Sequence, residues 1–116
     1  MTRDEVHALI MSFPEVEEGT SYGKPAYKAF GKFFTRLRVV DDSLVLGQIG
    51  FDERDFLLEV DPGTFHYTDH YKSYPFVLAR IENLLPDQAK GFLMRQWRKN
   101  APKKWLKAYD AAHPPG

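Results

Sequence analysis

Val6, Leu9, Ile10 and Phe13 recur at i, i+3, i+4 and i+7, the spacing of one helical face, and Pro14 closes the run. The preceding Thr2-Arg3-Asp4-Glu5 has the form of a capping box, in which hydroxyl and carboxylate each satisfy an orphan amide at a helix start. An amphipathic helix of this kind needs a sheet to cover. Ala26 to Phe30, Phe33 to Val40 and Leu44 to Ile49 are β-rich runs joined by Gly31-Lys32 and Asp41-Asp42-Ser43, which predicts an antiparallel meander. In its middle strand Phe34, Arg36, Arg38 and Val40 alternate with Phe33, Thr35, Leu37 and Val39, so the period of two predicts an apolar face and a face carrying both arginines.

After Gly50 the period changes. Phe56 and Leu57 fall on a short helix with acids in its first turn, and Asp61-Pro62-Gly63 stops it. Thr64 to Thr68 and Tyr74 to Ile81 read as two further strands, with Pro75 suited to an edge or a strand start. Leu85-Pro86-Asp87 opens a long final helix with Pro in its first turn. Ala89, Phe92, Leu93, Gln96 and Trp97 line its inner face, and Pro102 is expected to kink or restart it. The order α-β-β-β-α-β-β-α predicts a two-layer α+β domain, with helices on one face of an antiparallel sheet of about five strands.

The length of 116 residues and a 43% hydrophobic composition fit one such domain, taken as residues 1–112 with 113–116 as a flexible tail. With no cysteine there is no disulfide, thiolate metal site or cysteine nucleophile. The charged start and the lack of a long apolar run predict a soluble, cytoplasmic protein of bacterial type, with no membrane segment.

Charge changes the picture more. The net charge is zero, yet Asp87 to Asp110 holds seven Lys/Arg against two acids, and Met1 to Gly63 holds seven Lys/Arg against twelve. Such asymmetry points to an anionic partner, of which nucleic acid is the commonest for a small basic surface. Arg95, Arg98, Lys99, Lys103 and Lys104 on the last helix, with Lys28, Lys32, Arg36 and Arg38 on the meander, are the candidate phosphate contacts. The competing reading is that these are ordinary solubility charges paired with acids such as Asp52, Glu53 or Glu82. Trp97 continues the apolar stripe and belongs to the core, whereas Trp105 follows Lys103-Lys104 and is open to either a stacking or a packing role.

The run Phe13-Pro14-Glu15-Val16-Glu17-Glu18-Gly19-Thr20-Ser21-Tyr22-Gly23-Lys24-Pro25-Ala26-Tyr27 carries a family resemblance. It continues through Gly31-Lys32-Phe33-Phe34-Thr35-Arg36-Leu37, His70-Tyr71, Tyr74-Pro75-Phe76-Val77, Trp97-Arg98 and Ala101-Pro102-Lys103. In this order and spacing the chain resembles the MmcQ/YjbR family of small bacterial proteins. The resemblance implies an α+β fold similar to type III secretion chaperones, loosely like the frataxin-type sheet, and DNA binding. Lys24 stands where the family often has His, and Phe34 where it has a smaller residue.

No nucleophile elbow, phosphate loop or carboxylate pair stands out, so no catalytic residue and no cofactor are expected. His66 and His70 have i, i+4 spacing, but their strand-and-loop setting separates them, and no metal site is expected. Ser21, Tyr22, Lys24 and His70, with Glu17 and Glu18, are the candidate lining of a small-ligand pocket; alternatively Gly19, Gly23 and Pro25 only shape a turn under Tyr22. A protein partner or a homodimer using the open sheet face is the third class of function.

Overall fold

A computed structural model describes residues 1–114. Helix α1 (Arg3–Met11) starts at the capping box: the Glu5 amide donates to Thr2 Oγ1 at 3.1 Å, and the Thr2 amide donates to Glu5 Oε1 at 2.8 Å. Strands β1 (Val16–Ser21), β2 (Lys24–Ala29) and β3 (Lys32–Thr35) form one antiparallel sheet in the order β1-β2-β3. Strands β4 (Leu37–Arg38), β5 (Ser43–Leu46), β6 (Phe65–His66) and β7 (Val77–Arg80) form a second, in the order β4-β5-β7-β6. Helix α2 (Phe51–Val60) lies between β5 and β6, and helices α3 (Pro86–Asn100) and α4 (Lys103–Ala112) end the fold. Short helical turns span Asp69–Tyr71 and Ile81–Asn83. The protein is an α+β fold with helices packed on antiparallel sheets.

Two local features turn the expected single meander into two sheets. The acidic run Val16–Ser21 forms a strand, and the hairpin to β2 turns on Tyr22 and Gly23, both at positive φ (51° and 75°). Phe30 and Gly31 repeat that geometry between β2 and β3 (55° and 76°). Two consecutive residues at positive φ are the backbone of a type I′ turn, whose twist matches the flanking strands. The expected strand Phe33–Val40 breaks at Arg36, because Phe34 and Thr35 are both fully buried and the alternation fails there. Val45 spans the break, its amide donating to Arg36 O at 2.9 Å and its carbonyl accepting from Thr35 Oγ1 at 2.7 Å.

Strand β5 is buried at all four positions, the pattern of a central strand. Leu44 and Leu46 meet Val77, Ala79, Phe34 and Phe65, and onto this layer α1 lays Val6 and Ile10 while α3 lays Ala89, Leu93 and Trp97. The Trp97 indole is fully buried and donates Nε1–H to Pro14 O at 2.8 Å, satisfying the one polar atom its burial would strand. Gly47 permits the close approach of α3, since a Cβ there would run into the Gln96 side-chain oxygen and sit 3.0 Å from the Phe76 ring.

Arg54 is the buried residue of α2, and no carboxylate neutralises it among the described residues. Its Nη1 donates to the carbonyls of Tyr71, Tyr74 and Phe76, and its Nη2 to that of Lys72 at 2.9 Å. The guanidinium also lies 4.1 Å from the Tyr67 ring centroid and 4.9 Å from that of Phe51. One planar cation thus organises the irregular segment between β6 and β7, using donors in a fixed fork.

Helix α3 ends at Asn100; Ala101 is extended (ψ 136°), and Pro102 becomes the N-cap of α4. The expected restart at Pro102 is therefore a complete break. Its second arm packs Leu106 and Tyr109 against the core, with the Tyr109 ring centroid 4.9 Å from that of Trp97. Of the segment expected as a tail, His113 is the C-cap of α4 and stacks on Tyr109 with centroids 4.2 Å apart. Pro115 and Gly116 lie outside the described residues.

Candidate nucleic-acid interface

The nine cations selected from the sequence divide into two groups. Arg36 and Arg38 are half-buried: Arg36 donates to Ser21 O at 3.2 Å, and Arg38 lies 3.3 Å from Asp41. The alternation that placed both on an open polar face ends where the strand breaks. Arg95 bonds Glu53 at 2.7 Å, and this hydrogen bond raises the guanidinium pKa further. Arg98 grips Asp110 with two bonds of 2.9 and 3.0 Å, which raises the arginine pKa and lowers that of the aspartate. Lys28 is half-buried, with its aliphatic stem lying over Gly19.

Lys32, Lys99, Lys103 and Lys104 are exposed and have no ion-pair partner among the described residues. Asn100 draws their backbone positions together. Its side-chain amide donates to Phe33 O at 2.8 Å, with longer contacts to Ala29 O at 3.3 Å and Lys32 O at 3.4 Å, and its oxygen accepts from Gln96 Nε2 at 2.8 Å. The α3–α4 junction is thereby fastened to the β2–β3 turn: Lys99 precedes Asn100 in the chain, Lys103 opens α4, and the Lys32 carbonyl is one of the acceptors. Phe30 in that turn packs edge-on against Trp105, with centroids 5.4 Å apart, and on its other side against Trp97 at 5.6 Å. Trp105 remains 39% exposed. With Leu106 and Tyr109 facing inward, the helical repeat places Lys104 on the outer side of α4 and Lys103 on the flank nearer the Arg98–Asp110 pair.

Asn100 and Arg54 were not found from the sequence, and Gln96 only as a member of the inner stripe of α3. Buried polar side chains that bind main-chain carbonyls leave no periodic trace, and the only available signal was that Asn100 and Gln96 fall on the inner stripe of α3.

The four residues proposed for a small-ligand pocket line neither of two cavities, of about 220 and 390 Å³, among the described residues. Tyr22 is fully exposed at its hairpin tip and packs over nothing, Lys24 is exposed beside it, and Ser21 gives its carbonyl to Arg36. His70 is exposed in the Asp69–Tyr71 turn, against the Tyr71 ring. A cavity of about 390 Å³ lies elsewhere along the same hairpin, lined by Glu18, Gly19, Pro25, Ala26, Tyr27, Leu37 and Val39. At its edge the Tyr27 hydroxyl meets His7 Nδ1 at 2.7 Å, with Glu18 3.7 Å from the same nitrogen. Burial, then the Glu18 charge, raises the Tyr27 pKa, so the phenol is a donor and not a base at neutral pH.

Asp41, Ser43 and His66 come together in a way that superficially suggests nucleophilic catalysis. Ser43 Oγ lies 2.8 Å from His66 Nε2, but Asp41 approaches that same nitrogen at 3.9 Å and not Nδ1, and Ser43 is fully buried. A working triad needs the acid on the other ring nitrogen and an accessible hydroxyl. Burial, then Arg80, lowers the His66 pKa, with Asp41 opposing. His66 and His70 sit on a strand and a short turn, and among the described residues no three His, Asp or Glu side chains are placed to share a metal ion. No helix among the described residues is long and apolar enough to cross a membrane.

Compared with known protein families, with curated proteins and with solved structures, the chain matches none.

Proposed function

We propose that the chain binds nucleic acid with little base preference, through Lys32, Lys99, Lys103 and Lys104 around Trp105. The observation that supports this reading is the Asn100 clamp, which ties the α3–α4 junction to the β2–β3 turn, two segments that together expose four lysines without ion-pair partners among the described residues and a partly exposed indole. Lysines act as mobile point charges on phosphates and release counterions on binding. A partly exposed indole beside them offers a ring on which an unpaired base stacks, which favours single strands over duplex. The likeness to the MmcQ/YjbR family supports the same direction. Zero net charge removes long-range attraction, so the affinity is modest and falls steeply with salt.

The test is fluorescence anisotropy with single-stranded and duplex oligonucleotides across a salt series. Replacing Lys32, Lys99, Lys103 and Lys104 with Ala is expected to weaken binding of every sequence alike and to flatten the slope of log affinity against log salt by up to about four. His70→Ala is expected to change nothing. If wild-type protein retains no oligonucleotide at low salt, the reading is lost.

A further inference from the structure

Helix α2 has an outward face that no described residue covers. Arg54, Leu57 and Leu58 turn inward, so the helical repeat places Asp52, Asp55, Phe56, Glu59 and Val60 outward. Phe56 and Val60, one turn apart, are 59% and 57% exposed. None of Asp52, Asp55 and Glu59 has an ion-pair partner among the described residues. An apolar pair ringed by unneutralised carboxylates fits a partner that brings apolar surface and cations together.

The chain itself exposes cations and an apolar ring together at the first turn of α4, in Lys103, Lys104 and the partly exposed Trp105. Within one molecule no ion pair joins an acid of that α2 face to Lys103 or Lys104 among the described residues, although Glu53 of α2 reaches Arg95 and Asp110 of α4 reaches Arg98 one turn apart on the same side of α3. We propose that the outer face of α2 docks on the exposed first turn of α4, Lys103 to Trp105, of a second copy of the chain. The contact is heterologous, each copy offering one face of each kind, so association continues with concentration until a ring closes. The charge segregation behind a net charge of zero is then the device that orients the copies. This proposal uses two of the lysines of the nucleic-acid reading but does not depend on it, and its test contains no nucleic acid.

The experiment is sedimentation velocity of the full chain over a wide concentration range at low salt and at about 1 M salt, where exposed charges are screened within about 3 Å. The expected result is a mass that rises with concentration at low salt and returns to that of the monomer at high salt. D55K/E59K and K103E/K104E are each expected to stay monomeric where wild type associates. Mixing them in equal amounts is expected to restore association, because each reversed face meets its reversed complement. Phe56→Ser, which removes the apolar half, is expected to weaken association about tenfold. If D55K/E59K fails to fold by far-UV circular dichroism, D55N/E59Q takes its place and must weaken association likewise. A wild-type chain that is monomeric at every concentration overturns the proposal, and α2 then faces a different protein. A mixture of folded reversal variants that stays monomeric overturns it equally.

Discussion

Arg98 and Asp110 close on each other across the break at Pro102, through two hydrogen bonds of 2.9 and 3.0 Å. The pair bridges α3 and α4 at the surface and engages in an internal contact the arginine that lies at the centre of the basic segment. It also carries the one acid of α4, so its two members decide how positive that surface is.

Asp110→Asn is therefore expected to tighten nucleic-acid binding and steepen its salt dependence by about one in the log–log slope, since it releases a cation without removing one. Arg98→Ala is expected to weaken binding less than Lys104→Ala. Anisotropy titrations at three salt concentrations check both. Equal losses for Arg98→Ala and Lys104→Ala would show that the pair opens on binding.

Asn100→Ala tests the clamp. It strands the part-buried carbonyl of Phe33 and the buried side-chain amide of Gln96, for which a cost of about 2 kcal/mol is expected. Urea denaturation gives the number, and hydrogen exchange gives the place: amides of β2 and β3 should exchange faster while those of β5 and β7 hold. Nucleic-acid affinity should fall with the fold intact, because Lys32 is no longer held beside Lys99.

What could be read in advance follows from how each element is stabilised. The capping box, the stripe Val6–Phe13, the inner face of α3 and the stop at Pro102 are local or periodic, and the structure has all four. Strand β1 is neither. Its Glu17, Glu18 and Gly19 are poor strand formers, and it pairs because Tyr22-Gly23 adopts an I′ turn that lacks the usual Asn-Gly signal. The break at Arg36 depends on Thr35 bonding to Val45, ten residues away, which no window of alternation contains. For the basic surface, the sequence showed which residues carry charge but not which charges are already neutralised. Glu53 is 42 residues from Arg95, and Asp110 meets Arg98 only because the helix breaks between them.

Arg54 gives a prediction about the segment Tyr67–Phe76. Its guanidinium holds four carbonyls without a counter-charge, so replacement by Lys keeps the charge but loses the fork and the stacking on Tyr67. Arg54→Lys is expected to destabilise by about 2 kcal/mol and Arg54→Met by about as much or more, because main-chain acceptors lose their donors in both. Limited proteolysis should cut first between residues 67 and 76 in either variant. Wild-type resistance of that segment in Arg54→Met would show that the cage is not what orders it.

His66 sets a pH dependence whose sign follows from its surroundings. Burial and the nearby Arg80 disfavour its charged form, so the folded chain holds this imidazole neutral to lower pH than the unfolded chain does. Above the ordinary value of about 6.5 both states are neutral, and the contribution to stability is fully present. As pH falls below that value the unfolded chain takes up the proton first, and stability is lost until the folded group is protonated too. One proton limits the slope to about 1.4 kcal/mol per pH unit. Urea denaturation from pH 7.5 to pH 5 should show wild type losing stability on the acid side, and His66→Gln, which keeps a partner for Ser43 without titrating, should lose less. Asp110 and Glu5, whose pKa values are also lowered, act at more acid pH and leave this window to histidine. Parallel stability curves for wild type and His66→Gln would mean that the imidazole contributes nothing to the pH dependence.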